Sequence, residues 1–180
     1  MRRRRSAESR AVWWALRAAV TLLVLSAGVF ARVLDAQEAA THPLGTVLFI
    51  CEHGTVKSLL AKVLFEQYAR EVGLPMRAIS RGTNLEPVVP PWMQRGLAAD
   101  GITLGAWQPL ALRPDDLVSA AFVVSFDVPS TVSAGARSPR AQWDGLPSVS
   151  QNYAVGRDSI KARVHSLVDS LKRSQGSARH

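Results

Sequence analysis

The chain has 180 residues, of which 47% are hydrophobic, enough for one domain with a substantial core but too few for two. Its formal net charge is +8, of which residues 1–36 carry +5 and all the remaining residues only +3. The modest charge of this larger part gives no basis for nucleic-acid binding, so no nucleic-acid partner is predicted.

Residues 1–36 have the composition of an export signal. Arginines at positions 2–5 precede an uncharged, mainly apolar run over 18–31. This run matches the hydrophobic region of a secretory signal peptide and is short for a membrane span. Cleavage after Ala36 would release the rest of the chain, whereas a span extended back to Ala11 would retain it as a membrane anchor. Both alternatives predict a periplasmic or otherwise extracytoplasmic domain that meets the membrane only through this segment, and a cytosolic N-terminal helix is disfavoured.

The pattern after this segment predicts a strand, a short loop and a helix. Residues 37–45 are small and polar, with one proline, which is typical of a linker. Thr46–Cys51 is a continuous apolar run that predicts a strand buried on both faces. Leucines, alanines and aromatic residues at helical spacing then predict a helix over 58–72. This order is the first half of a parallel crossover unit.

Alternating strands and helices are predicted along the rest of the chain. Further strands are expected over 76–80, 107–112 and 119–126. Helices are expected over 92–100 and 155–171, and another helix is expected to start at 113–116. Loops are expected over 84–92 and 129–147. Such alternation indicates a doubly wound sheet with ligands at the carboxyl ends of its strands. We therefore predict one α/β domain over 46–173 and a polar tail over 174–180.

Cys51 is the only cysteine of the chain and ends the first predicted strand. It forms no disulfide within the chain, so it is either a buried filler or a working thiol. A loop between a parallel strand and a helix directs backbone N–H groups and the positive end of the helix dipole to one point. This arrangement, with a cation and a hydroxyl nearby, favours a thiolate and a bound oxyanion. The candidate oxyanion-binding residues are Glu52, His53, Gly54, Thr55, Val56, Lys57 and Ser58.

Several motifs occur in an order found in one enzyme family. They are Val47-Leu-Phe-Ile-Cys51 followed after five residues by Lys57-Ser58, then Ser80-Arg-Gly-Thr83, a helix leading to Gly101-Ile102, and Val123-Val-Ser-Phe-Asp127. This series resembles the low-molecular-weight protein tyrosine phosphatases and the thioredoxin-coupled arsenate reductases, which share one fold. The resemblance implies a three-layer α/β sandwich around a central, mostly parallel four-stranded sheet.

The resemblance also implies roles for individual residues. Cys51 matches the family nucleophile, and Ser58 matches the serine that hydrogen-bonds the thiolate. Lys57 replaces the family arginine, and this exchange turns a two-pronged phosphate ligand into a point charge. The family's acidic Asp-Pro pair is absent, and its nearest counterpart is Asp144, which is either the general acid or the cap of a turn. Asp127 matches an aspartate near the family site and is at least as well explained by a structural role.

Three functions fit these observations. The favoured one is a cysteine-dependent phosphomonoesterase of the phosphotyrosine type, with Cys51, Lys57, Ser58 and Asp144 as catalytic residues. The second is an oxyanion-binding protein with weak or no turnover, and the third is an arsenate reductase that depends on an external thiol. The expected partners are a phosphorylated small molecule, a phosphoprotein or an inorganic oxyanion. No cofactor is predicted, and no metal site, because no ligand set has suitable spacing.

Overall fold

A four-stranded parallel sheet lies at the centre of the structure, a computed structural model that describes residues 45–177. Its strands are β1 (Thr46–Cys51), β2 (Arg77–Gly82), β3 (Phe122–Ser125) and β4 (Arg140–Gln142), in the spatial order β2-β1-β3-β4. All three pairings are parallel, which confirms the predicted type of sheet. The export segment over 1–36, nearly all of the linker and residues 178–180 of the tail lie outside the described residues.

Helices cover both faces of this sheet and give the predicted three layers. They are α1 (Lys57–Glu71), α2 (Pro91–Ala99), α3 (Pro114–Ser119) and α4 (Tyr153–Ser177), with a 3₁₀ helix over Ser130–Ser133. Buried side chains of α1, α2 and α4 form the larger hydrophobic cluster on one face. Leu117 of α3 belongs to a smaller cluster on the other face. No helix within residues 45–177 combines the length and the apolar character needed to cross a membrane.

Strand β1 connects the two hydrophobic clusters because its side chains alternate between the faces of the sheet. Val47, Phe49 and Cys51 face the larger cluster, whereas Leu48 and Ile50 face the smaller one. All five side chains are buried, as the continuous apolar run predicts. The strand therefore carries Cys51 to the end of a fully buried element and fixes its position.

One predicted strand is missing from the structure, and one strand of the structure was not predicted. The expected strand over 107–112 is only a single bridge between Ala111 and Gly82, because Pro109 lacks the N–H that a sheet ladder needs. The fourth strand is instead β4, which lies within the segment predicted as a loop over 129–147. It has only three residues, Arg-Ala-Gln, so it shows neither an apolar run nor an alternating pattern.

Candidate active site

Cys51 stands at the carboxyl end of β1, opposite Gly82 of β2. Its side chain is only 6% exposed, yet it lines a cavity of about 370 Å³ that opens at this end of the sheet. The backbone N–H of Gly54 donates a hydrogen bond to the sulfur over 3.2 Å, and the Ser58 hydroxyl lies 3.0 Å from it. The sulfur therefore combines access to a cavity with polar contacts from both ends of the following loop.

The carbonyl groups of this loop all point to one side. Four successive carbonyl oxygens accept hydrogen bonds from the end of β2 and the segment after it: Cys51 O from Thr83 N, Glu52 O from Asn84 N, His53 O from Glu86 N, and Gly54 O from the Ser80 hydroxyl. A trans peptide places the next N–H opposite its carbonyl, so the N–H groups of residues 52–55 point away from that segment. The contact from the Gly54 N–H to the Cys51 sulfur fits this orientation. Convergence of the other N–H groups on one anion remains a prediction.

Two glycines allow the loop to pack closely on β2. Gly54 has φ +74°, and a Cβ added there would lie 2.8 Å from the Gly82 backbone nitrogen. A Cβ on Gly82 would in turn meet the His53 carbonyl carbon at 2.9 Å. Side chains at either position would separate the two backbones. The glycine of the Ser80-Arg-Gly-Thr83 motif is therefore required by this close approach.

Buried hydroxyl groups continue inward from the Cys51 sulfur. Ser58 Oγ lies 3.0 Å from that sulfur and 2.8 Å from Ser80 Oγ, and the Ser80 hydroxyl is 2.9 Å from Gly54 O, which can only accept. Ser58 and Ser80 are both buried. Because Ser80 gives its one hydrogen to Gly54 O, the contact between the two serines requires Ser58 as the donor, and Ser58 can donate to the Cys51 sulfur only when it turns away from Ser80.

Lys57 reaches across the cavity to Asp127. Its Nζ lies 2.5 Å from Asp127 Oδ2 and 3.4 Å from Leu146 O. Asp127 is the one non-glycine residue with a positive φ, +47°, in the described chain, a conformation that aspartate tolerates better than most residues. Its second oxygen, Oδ1, accepts a hydrogen bond from the Gly145 N–H over 3.0 Å. Both Lys57 and Asp127 line the cavity.

Asp144, the predicted acid, lies behind Asp127. Its Oδ1 accepts hydrogen bonds from the Asp127 N–H and the Gln142 side chain, each over 2.8 Å. The side chain is exposed and is not part of the cavity lining. The two aspartates thus bind each other's loops reciprocally, and of the two only Asp127 lines the cavity.

Side chains of the loop differ in their relation to the cavity. Glu52, His53, Val56 and Lys57 line it, whereas Thr55 and Ser58 are fully buried. His53 Nδ1 donates to the Asn84 carbonyl over 3.2 Å. Its Nε2 lies 3.8 Å from Glu52 Oε2.

Sequence reasoning assigned no site role to Glu86, which lines the cavity. It belongs to the proline-rich segment after β2 that was predicted as a loop. Trp92, at the start of α2, also lines the cavity. Glu86 Oε2 accepts a hydrogen bond from the Thr55 hydroxyl over 2.9 Å. The rule that ligands bind beyond the carboxyl ends of parallel strands was the signal that could have identified this segment.

No group of three or more His, Cys, Asp and Glu side chains suited to a metal ion occurs within residues 45–177.

The groups with clear pKa shifts lie away from the cavity. Burial and a hydrogen bond to Asp100 raise the pKa of Tyr153, and a hydrogen bond from Arg157 lowers the pKa of Asp158. These groups stabilise the packing of α4 near the end of α2.

Comparisons with known proteins agree with this geometry. A family model described as low molecular weight phosphotyrosine protein phosphatase matches residues 46–139. The YwlE arginine phosphatase from Geobacillus stearothermophilus shares 19% identity, with 76% of this chain and 98% of that one covered and a TM-score of 0.64. YfkJ from Bacillus subtilis shares 20% identity, with 72% and 95% covered and a TM-score of 0.64. A thioredoxin-dependent arsenate reductase from Corynebacterium glutamicum shares 22% identity, with 84% and 75% covered and a TM-score of 0.58. A search of curated proteins found no match. At these identities the structural likenesses show a common fold.

Proposed function

The chain belongs to the low molecular weight phosphotyrosine protein phosphatase family, and from this premise we propose that it is a cysteine-dependent phosphomonoesterase. The observation that carries the proposal is the environment of Cys51. Its sulfur lies beside a cavity, accepts a hydrogen bond from Gly54 N–H and contacts the Ser58 hydroxyl. The thiolate is the nucleophilic form of cysteine, and hydrogen-bond donors to the sulfur stabilise its negative charge.

In the proposed reaction the Cys51 thiolate attacks phosphorus, and the bond from phosphorus to the leaving oxygen breaks. That oxygen takes a proton from a carboxyl group and departs as an alcohol or a phenol. Water then attacks the phosphocysteine, which releases inorganic phosphate and restores the thiolate. The loop N–H groups and Lys57 hold the remaining phosphate oxygens and stabilise the charge of the transition state.

We assign the proton transfer to Asp127 and a positioning role to Asp144. Asp127 lines the cavity, whereas Asp144 holds the Asp127 backbone from behind. Lys57 occupies one oxygen of Asp127. Movement of Lys57 onto a bound phosphate would free that oxygen to accept a proton from solvent and pass it to the leaving group.

An assay of the full chain with p-nitrophenyl phosphate tests this function, with Cys51→Ser as the control. Turnover by the wild-type protein and its loss in the variant are expected. A rate that is equal in the two proteins would show that the phosphatase chemistry does not use Cys51.

The contact between Lys57 and Asp127 favours a second candidate, an oxyanion-binding protein with weak turnover. A lysine already paired with a carboxylate must give up this partner to bind phosphate, and it offers a point charge in place of a planar guanidinium. An arsenate reductase is the third candidate and would require an external thiol, because Cys51 has no second cysteine in the chain. Calorimetric binding of phosphate without turnover would support the second candidate, and thiol-dependent formation of arsenite would support the third.

We further propose that residues 37–180 are delivered outside the cytoplasm by the N-terminal segment. The support is the arginine cluster followed by the apolar run over 18–31. Reporter fusions after residue 45 test the proposal. A reporter active only in the periplasm should be active, whereas activity of a reporter restricted to the cytoplasm would refute it.

A further inference from the structure

The cavity beside Cys51 has an excess of negative charge. Its lining includes three carboxylates, Glu52, Glu86 and Asp127, against the single ammonium of Lys57. Lys57 is paired with Asp127, so the other two carboxylates have no lysine or arginine partner among residues 45–177. Apart from the loop N–H groups, this lining offers a phosphate ester one ammonium against three carboxylates, which favours esters that carry a positive charge of their own.

Glu86 is held at the edge of the oxyanion loop from two directions. Its Oε2 accepts a hydrogen bond from Thr55 in the loop over 2.9 Å, and its backbone N–H donates to His53 O over 3.1 Å. No hydrogen bond to its other carboxylate oxygen comes from the part of the chain that the structure describes. Leaving a fixed, half-buried carboxylate without a counterion is unfavourable, and a cationic ligand removes this cost.

Trp92 adds a second feature suited to a cation. It lines the same cavity and is partly buried against the core. An indole face attracts quaternary ammonium groups through its quadrupole, and this attraction strengthens as water is excluded. A carboxylate and an indole in one cavity are therefore the elements of an organic-cation site next to a phosphate site.

We propose that the preferred substrates are phosphomonoesters of amino alcohols, in which an ammonium group of the leaving alcohol lies against Glu86 and Trp92. The inference rests on the proposed phosphomonoesterase function and narrows it. The bond changes are those described above, with the amino alcohol as the departing group. The positive charge on the leaving group compensates one of the two unpaired carboxylates, Glu86, which an uncharged phenol or alcohol does not do.

Two esters of equal shape test this substrate class. Phosphocholine and 3,3-dimethylbutyl phosphate differ only in whether the branched end carries a nitrogen cation or a neutral carbon. For the full wild-type chain we expect kcat/KM to favour phosphocholine by about tenfold, equivalent to about 1.4 kcal/mol. Glu86→Gln retains an acceptor for Thr55 but removes the charge, so this preference should fall toward one. Glu71→Gln removes an exposed carboxylate of α1 outside the cavity and should retain the preference.

The outcomes separate this inference from the proposed function. Equal kcat/KM values for the two esters, with turnover that depends on Cys51, would overturn the cation site and leave the phosphomonoesterase in place. Failure to turn over either ester or p-nitrophenyl phosphate would reject both. A preference that survives in Glu86→Gln, or that falls equally in Glu71→Gln, would show that Glu86 does not bind the cation.

Discussion

Replacement of Ser58 by alanine isolates one contact to the nucleophile. The Ser58 hydroxyl is buried and lies 3.0 Å from the Cys51 sulfur. A hydrogen bond to a charged group contributes about 1.5–3 kcal/mol. If this contact stabilises negative charge on the sulfur by that amount, Ser58→Ala should lower the rate of alkylation and the turnover at neutral pH by about 10- to 150-fold.

Two measurements check the effect of Ser58→Ala. One is the rate of alkylation by iodoacetamide, which reacts with thiolates; Cys51 is the only thiol of the chain, so no other residue contributes. The other is turnover of p-nitrophenyl phosphate. Ser80→Ala should not lower either rate by as much, because Ser80 does not contact the sulfur and its removal leaves the Ser58 hydrogen free for the sulfur.

Ser125→Ala is the matched control for the loss of a buried hydroxyl. The Ser125 hydroxyl is buried in β3 and has no hydrogen-bond partner in the structure. Its removal should leave alkylation and turnover unchanged and should not destabilise the fold. The reasoning fails if Ser58→Ala alkylates and turns over like the wild-type chain, or if Ser125→Ala loses as much activity as Ser58→Ala.

Four further substitutions, which make three predictions, test the site. Lys57→Arg should raise turnover of p-nitrophenyl phosphate by one to two orders of magnitude, about 1.4–2.8 kcal/mol of barrier, because a guanidinium binds two phosphate oxygens. Asp127→Asn should lower the turnover of phenyl phosphate more than that of p-nitrophenyl phosphate, because phenolate is the more basic leaving group and depends more on a general acid. In Asp144→Asn the turnover of the two esters should differ less. Gly54→Ala should lower both the unfolding temperature and activity, because the new Cβ combines a positive φ with a contact of 2.8 Å to Gly82.

Other results would contradict these three expectations. Lower turnover in Lys57→Arg would indicate a site shaped around lysine. A stronger dependence on the leaving group in Asp144→Asn than in Asp127→Asn would restore the acid role to Asp144. Wild-type stability in Gly54→Ala would show that the loop relaxes away from β2.

The first strand, its loop and the following helix could be predicted because their signals are local. The run Thr46–Cys51 is apolar throughout, and helical spacing begins soon after it, so the sequence alone places Cys51 at a strand end beside a loop. The closing helix was also predictable, although it extends from Tyr153 to Ser177, beyond its expected ends. In these segments local pattern and tertiary packing favour the same structure.

The remainder of the site depends on contacts between distant residues. Lys57 and Asp127 are 70 positions apart, and Thr55 and Glu86 are 31 apart. No spacing rule in the sequence indicates whether Asp127 or Asp144 lines the cavity. This choice depends on β4, a three-residue polar strand whose formation is governed by pairing with β3 rather than by its own composition.

The orientation of the loop carbonyls has a consequence for how specificity can change. Because the carbonyl groups of residues 51–54 are bonded to the end of β2 and the segment after it, the side chains at positions 52 and 53 can be exchanged without turning the N–H groups of residues 52–55, provided that Gly54 and Gly82 remain. In the proposed phosphatase these N–H groups would hold the oxyanion. Selection for a new leaving group can therefore act on the side chains at the mouth of the cavity while the phosphoryl position stays unchanged. Binding of the phosphoryl group and choice of the leaving group are then separate, independently variable properties of this short segment.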